Sequence, residues 1–370
     1  MVSAQVQLPS QVEAAVVRGA DDQFALEKLE LSPLGPFDVL VKIAGVGMCH
    51  TDLALRGPAG APLRPIVLGH EGSGVVVAVG SGVGKVTAGD SVVISYDSCG
   101  ACGSCRSGRP YFCRTWFDLN TGPAASRPHA TLTDAEGEPV NNSCFGQSSF
   151  AEYSVASHHN VVKVDPELPL EILGPLGCGL QTGAGAIVNV LQVRPGQSVV
   201  VFGAGAVGLA AVMAARICGA SAVVAVDLVE GRRQLAREVG ATHALDGAAP
   251  DLPDQLQRIT SGADCAFDTT GKSAVIATAV NALAQGGTCA LAAFEDELRL
   301  PTQQIVFGRR LTGVVEGNAV PDVFIPRMID WWQAGVFPFD KLIERFPLRE
   351  INEAADASVS GRVVKPVLIP

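Results

Sequence analysis

"VVVFGAGAVG", Val199 to Gly208, places Gly203, Gly205 and Gly208 in a G-x-G-x-x-G spacing straight after an apolar run. The spacing alone is weak, because glycine-rich turns are common; its context is stronger. "SVVVFG" reads as a strand, "AVGLAAVMAARICG" as the helix the glycines open, and "AVVAVD" as a second strand ending in Asp227, nineteen residues past Gly208 (208 to 227). That is the order of a dinucleotide-binding turn. Gly203 permits the tight turn, Gly205 lets a pyrophosphate approach the backbone, and Gly208 lets helix and strand pack closely. The phosphates are expected at the helix N-terminus, where N–H groups and the dipole favour negative charge. Asp227 is expected to accept hydrogen bonds from the adenosine ribose and to repel a 2′-phosphate, which favours NAD over NADP. Arg232 and Arg233, at the start of the next helix, act in the opposite sense.

Outward from this turn, strand and helix patterns alternate from about Gln181 to Val320, with "EGRRQLAREVG" and "AVIATAVNALAQGG" as helices and "CAFDTTG" and "TCALAAF" as strands. Such alternation predicts an α/β unit, a doubly wound parallel sheet with helices on both faces. Upstream, "DVLVKIAGVGM", "GSGVVVAVGSGVGKV" and "AGDSVVIS" are short β-rich runs punctuated by turns. Arg114 to Asn142 shows no clear periodicity and is expected to be a long irregular excursion over a functional cleft. Beyond Asp322 come an amphipathic "FIPRMIDWWQAG" and a strand-like "KPVLIP". A length of 370 residues suits two domains. The expected division is 1–179 with 322–370, and 180–321 for the nucleotide.

The chain holds 37 acidic and 27 basic residues, a net charge of −10, which argues against nucleic acid and anionic membrane surfaces as partners. Val199 to Ala215 is uncharged, but it is short for a span and interrupted by the three glycines, so a buried strand entering a buried helix is expected. The N-terminal stretch lacks a basic start and an apolar core, so no signal peptide is expected. Ten cysteines then point to a reducing compartment, the cytoplasm, where clustered thiols bind metal or do catalysis.

Four of those cysteines sit in "CGACGSCRSGRPYFC": Cys99, Cys102, Cys105 and Cys113. Four thiolates on a short glycine-rich loop can close a tetrahedron around Zn²⁺, leaving no position for substrate. An iron–sulfur cluster also takes four thiolates, but its usual spacings differ; unligated thiols are the plainer alternative. A second set is dispersed: Cys49, His50, Thr51 and Asp52 in "GVGMCHTDLALRG", His70 and Glu71 in "VLGHEGSGVV", and Cys178 in "GPLGCGLQTGAG". Singly, each also reads as a buried cysteine, a core histidine or a glycine turn.

Taken together, "MCHTD", "GHEGSGVVVAVG", the four-cysteine loop, "GPLGCGLQTGAGA" and "VFGAGAVGLAAVMAA…D" follow the order found in zinc-dependent medium-chain alcohol dehydrogenases, which this chain resembles over nearly its whole length. "LGPLGCGLQTGAG" and "FGQSSFAEY" look most like the branch with aryl-alcohol (benzyl alcohol) and geraniol-type dehydrogenases. The resemblance implies a GroES-like catalytic domain beside a Rossmann domain, with zinc, substrate and nicotinamide in the cleft between them. It implies NAD and two zinc ions, one structural at the four-cysteine loop. Cys49, His70 and Cys178 match the catalytic zinc ligands, and Asp52 matches the carboxylate that orients a zinc-bound histidine. Glu71 matches a glutamate behind the metal that assists ligand exchange, and Thr51 the hydroxyl that takes the alcohol proton. His50 matches a residue near the cofactor pyrophosphate, and Thr182 and Val207 match positions that pack against the nicotinamide. Where some relatives end the proton relay with a histidine, this chain has Ala54, so the proton must leave through water or His50.

The activity implied is NAD-linked oxidation of primary aromatic or allylic alcohols to aldehydes, whose π-systems stabilise the developing carbonyl. Trp116, Phe117, Phe145, Phe150 and Phe294 are candidates to line an apolar substrate pocket. The alternatives are an S-(hydroxymethyl)glutathione, formaldehyde or broad aliphatic alcohol dehydrogenase, and least of all a non-catalytic zinc-binding redox sensor. A homodimer or homotetramer is expected from the family.

Overall fold

The protein is described by a computed structural model covering residues 9–19, 23–122, 129–294 and 297–370. The stretch read for a leader lies outside these residues over positions 1–8, as do positions 123–128 of the Arg114–Asn142 excursion. Two compact units form: one from residues up to Cys178 with Val320–Pro326 and Leu342–Pro370, the other from Gly179–Ala319 with Arg327–Lys341.

In the second unit Ser198–Phe202, apolar from Val199 onward, is an inner strand of a parallel sheet, as burial on both faces requires. The strand order is His243–Asp246, Ala222–Asp227, Ser198–Phe202, Ala263–Asp268, Leu283–Leu291 and Arg310–Gly313. Val199 pairs with Val223 on one side and Cys265 on the other. The chain leaves Ser198–Phe202 for one neighbour and later returns to the other, so the order reverses at its carboxyl end, where Gly203–Gly208 begins. Helices Ala206–Ile217, Glu230–Glu238, Leu252–Thr260 and Ser273–Ala282 make the crossovers. The uncharged segment Val199 to Ala215 is therefore a strand and a buried helix, and no described helix is long and apolar enough to cross a membrane. The helix Gly179–Gly185 escaped the sequence pattern because it is three-sevenths glycine, a poor helix former. Its glycines are required by close approach: a Cβ on Gly183 would lie 1.9 Å from the Val207 carbonyl oxygen.

The first unit is β-rich. One sheet orders Val161–Lys163, Ser91–Ile94, Gly72–Val79, Asp38–Gly47, Lys365–Ile369 and Ile343–Pro347, with Tyr153–Ser157 also paired to Asp38–Gly47. A second orders Ile66–Val67, Gln11–Val17, Ala25–Leu31, Leu132–Thr133 and Pro139–Val140. The excursion expected to be irregular thus contributes an antiparallel strand pair to this sheet, and a five-residue helix, Trp116–Asn120. Elements this short span too few residues for a period to show.

Candidate metal centres and dinucleotide turn

Strand Asp38–Gly47 runs into the helix His50–Arg56, and the junction is built by Asp52. From the third helical position it reaches back so that Oδ2 accepts the Cys49 N–H (3.0 Å), while Oδ1 accepts the Gly69 N–H (3.0 Å). This is the reciprocal cap that starts many helices. The same Oδ1 meets His70 Nδ1 at 2.8 Å, with both side chains fully buried. An ionised carboxylate only accepts, so Nδ1 carries the proton and donates it. His70 Nε2 is buried without a hydrogen-bond partner.

One ligand atom each of Cys49, His70, Glu71 and Cys178 lie within 4.8 Å of one another. Cys178 follows a turn whose Gly177 comes so near strand Ser91–Ile94 that a Cβ would lie 2.1 Å from the Ile94 carbonyl oxygen, and Ser95 Oγ donates to the Gly177 carbonyl (2.6 Å). Glu71 is fully buried and held by Lys365, whose Nζ donates to Oε2 at 2.8 Å, Oε1 at 3.0 Å and the Met48 carbonyl at 3.0 Å. Gly47 makes the room: a Cβ there would sit 2.1 Å from Glu71 Oε2.

The electrostatics suit a cation. The neighbouring Cys178 sulfur, followed against burial by His70, holds the Cys49 thiol well below its ordinary pKa. Burial opposes charge on His70, yet Asp52 and Cys178 outweigh it and raise its pKa well above 6.5. Burial also pushes the Glu71 carboxyl up, against the pull of Lys365. Lys365 itself stays protonated, burial being outweighed by Glu71. Two sulfurs and an orphaned imidazole nitrogen are a borderline-soft, three-donor set, the kind that suits zinc with a position left open.

The His70 surroundings extend further. Gln147, buried, donates from Nε2 to the His70 carbonyl (2.9 Å) and the Ser95 carbonyl (3.2 Å), and accepts the Gly72 N–H at Oε1 (3.1 Å). Phe145 stacks on the His70 ring, centroids 4.3 Å apart at 23°. Cys144 places a buried thiol within 4.8 Å of Asp52 and His70 ligand atoms.

At the four-cysteine loop the sulfurs of Cys99, Cys102, Cys105 and Cys113 also gather within 4.8 Å. Cys99 and Cys105 sulfurs lie 3.9 Å apart, and Cys102 and Cys105 sulfurs 3.5 Å apart. A regular tetrahedron with zinc–sulfur bonds of about 2.3 Å has edges of about 3.8 Å, so the spacing fits that ion. Backbone N–H groups of Cys105 and Arg114 bring Cys102 down to about 6, whereas burial and then its neighbours Cys102 and Cys113 push Cys105 up to about 12. Four thiolates here need a cation. No disulfide joins any of the ten cysteines.

At the G-x-G-x-x-G turn, two glycines answer to backbone geometry. Gly203 has φ +91°, and a Cβ on Gly208 would lie 1.8 Å from the Gly203 carbonyl oxygen. Gly205 is the cap of helix Ala206–Ile217, and a Cβ there would meet nothing within 4 Å, an open cradle at a helix N-terminus. Asp227 accepts the Ala204 N–H at 2.7 Å and the Val229 N–H at 2.8 Å, each oxygen keeping room for a further donor. Arg233 is engaged by the carbonyls of Asp227 and Leu228 (2.9 Å each) and by Glu230. Arg232 Nε is buried without a hydrogen-bond partner. Thr182 and Val207 belong to the two helices whose close approach Gly183 permits.

Thr51 and His50 open the helix after Cys49, Thr51 half-buried and His50 exposed. Of the aromatic candidates, Phe145 faces His70, Trp116 meets Phe145 edge-on, and Phe150 is core against Phe24. Phe117 is 75% and Phe294 98% exposed, so neither is enclosed among the described residues. Sequence reasoning missed Lys365, Gln147 and Cys144, since nothing local marks them.

Residues 35–166 match the family described as the alcohol dehydrogenase GroES-like domain, and residues 206–334 the zinc-binding dehydrogenase family. A geraniol dehydrogenase from Castellaniella defragrans is 46% identical over 96% of this chain and 97% of its own. A benzyl alcohol dehydrogenase from Acinetobacter calcoaceticus superposes with a TM-score of 0.91 at 40% identity, covering 98% of this chain and 99% of that one. An alcohol dehydrogenase zinc-binding domain protein from Burkholderia ambifaria does so at 0.93 and 45%, over 97% and 99%. With its GroES-like and zinc-binding portions both matched, this chain belongs to the zinc-dependent alcohol dehydrogenases.

Proposed function

We propose that the enzyme oxidises primary alcohols bearing an aryl or alkenyl group on the carbinol carbon, reversibly and with NAD. The observation that carries this reading is the convergence of half-buried Cys49 with buried His70 and Cys178, an aromatic ring, Phe145, lying on the histidine. The names of its geraniol and benzyl alcohol dehydrogenase relatives support the substrate class. Cys49, His70 and Cys178 would hold a catalytic zinc, and Cys99, Cys102, Cys105 and Cys113 a structural one. When bound, zinc supplies Lewis acidity toward an alcohol oxygen and NAD accepts hydride. Asp52 keeps the His70 proton on Nδ1 and so presents Nε2 as a donor. Thr51 takes the alcohol proton, and the exposed His50 beside it passes the proton to water, Ala54 offering no relay. Lys365 neutralises Glu71 and holds both of its carboxylate oxygens by hydrogen bonds. Gly203, Gly205, Val207, Gly208, Thr182, Asp227, Arg232 and His50 would bind the cofactor, while Arg233 is engaged by Glu230 and the Asp227 carbonyl. The cytoplasm and a homodimer or homotetramer complete the proposal.

The test is NADH absorbance with benzyl alcohol, geraniol, ethanol and S-(hydroxymethyl)glutathione, each with NAD and NADP. The highest kcat/KM is expected for benzyl alcohol or geraniol with NAD. A higher value for ethanol or the glutathione adduct overturns the substrate class, and a higher value with NADP overturns the cofactor.

A further inference from the structure

Two contacts fix the His70 imidazole: Asp52 grips Nδ1 in the ring plane at 2.8 Å, and Phe145 covers a ring face at 4.3 Å. Phe145 adopts φ +50°, ψ +34°, a left-handed conformation that is costly for an aromatic residue and persists only where its surroundings impose it. Those surroundings are Asn160 and the residues flanking the four-cysteine loop. Asn160 Nδ2 donates to the Phe145 and Gly146 carbonyls at 3.2 and 3.1 Å. Gly146 approaches Asp97 so closely that a Cβ would lie 2.9 Å from the Asp97 Cβ. Trp116 meets the Phe145 ring edge-on, centroids 5.6 Å apart at 88°.

Asp97 lies two residues before Cys99 and Trp116 three residues after Cys113. Asn120, fully buried, joins the two: Oδ1 accepts the Asp97 N–H (2.7 Å), and Nδ2 donates to the Asp97 (2.9 Å) and Trp116 (2.8 Å) carbonyls. Between these anchors, Gly100 to Arg109 is exposed or half-buried, so apolar burial does little to order it. Local turns such as the Arg109 N–H to Ser104 carbonyl bond (2.9 Å) shape the loop, and its four sulfurs, gathered within 4.8 Å, are what a metal would tie together.

We propose that the four-cysteine loop is a positioning element for His70, acting through Trp116 and Phe145, so that metal in the loop raises the metal affinity of Cys49, His70 and Cys178. Coupling of this sort is reciprocal: each centre's occupancy changes the other's affinity by the same factor. In this coupling Trp116 and Phe145 are positioning residues, acting on the metal through His70. The proposal rests on the reading of His70 as a zinc ligand.

The experiment uses the full-length protein with zinc kept in the loop and cobalt(II) titrated into the Cys49, His70, Cys178 centre, read by visible absorption and chelator competition. Trp116→Leu is expected to weaken cobalt binding about tenfold, at the low end for groups supporting a metal-bound histidine, and to shift the absorption bands. Trp116→Phe, which keeps a ring edge, restores both. Cys105→Ser weakens the same centre to the same degree and adds nothing in the Trp116→Leu background. Should Cys105→Ser not fold, the Leu and Phe variants decide. Affinity within about twofold and unchanged bands in Trp116→Leu would overturn the coupling while leaving the zinc reading intact. Absence of a thiolate–cobalt spectrum in the wild-type centre overturns the reading of His70, and the proposal with it.

Discussion

Replacing Lys365 by Met keeps the length of the side chain and removes only its ammonium. In the wild type that ammonium is 3% exposed and donates to both Glu71 oxygens and the Met48 carbonyl. Lys365→Met leaves Glu71 buried without that counter-charge, which costs about 3–5 kcal/mol when one partner of a buried pair is removed. About 1 kcal/mol of this is the lost hydrogen bond to Met48. The double variant Glu71→Gln/Lys365→Met buries no charge and loses only neutral hydrogen bonds, about 1–2 kcal/mol. The double variant should therefore be more stable than Lys365→Met by about 1–4 kcal/mol. The assay is equilibrium urea unfolding of the zinc-loaded protein at pH 7, followed by far-ultraviolet circular dichroism. A Lys365→Met protein within about 1 kcal/mol of wild type, or a double variant no more stable than the single one, would refute the reasoning.

Gly205→Ala places its Cβ in open space at φ −77°, so Tm should hold or rise slightly while NAD affinity by calorimetry falls at least about tenfold, ~1.4 kcal/mol. Unchanged NAD affinity would remove Gly205 from the phosphate cradle. Gly47→Ala should destabilise the first unit by about 1–3 kcal/mol and lower its zinc content, because Glu71, pinned by Lys365, cannot yield the 2.1 Å approach; wild-type zinc content by atomic absorption speaks against it. Asp134 is held below the usual carboxylate range by the Glu138 backbone N–H, then by Arg18. Its contribution is therefore present above the unfolded value of about 3.9 and lost as pH falls through the lower folded one. Asp134→Asn should lower Tm at pH 6, with the gap to wild type closing as pH falls below 4; a gap that widens on acidification contradicts the sign.

What the sequence discloses depends on how locally each feature is encoded. Gly203, Gly205, Gly208 and Asp227 lie in one strand–helix–strand unit, and each answers to a backbone need within that unit: the +91° φ at Gly203, the close approach at Gly208. Their spacing therefore carries their physics. The four cysteines are local in the same way, and their mutual distances follow from a loop of fifteen residues (99 to 113). The second centre is different. Cys49, His70 and Cys178 were legible only as motifs of a family, since no local rule brings three separate segments together. Lys365, 294 residues from the glutamate it neutralises, carries no mark in "KPVLIP" of being buried, because lysine in a strand is ordinarily exposed.

The same contrast separates what each centre asks of the fold. The four-cysteine loop needs little beyond its own chain, and metal can order it. The dispersed centre needs Asp52 capping a helix, Gly47 clearing space for Glu71, Gln147 bridging the His70 and Ser95 carbonyls, and Phe145 held in a left-handed turn. Each of these is a separate stabilising contact with its own way to fail, so this centre should lose metal before the unit unfolds. The loop lies one indole and one phenyl ring from the histidine most exposed to that failure, His70. On the proposed coupling, a loop with no open ligand position would serve an open site by holding its surroundings rigid, which would give the cluster a part in catalysis without any contact to substrate.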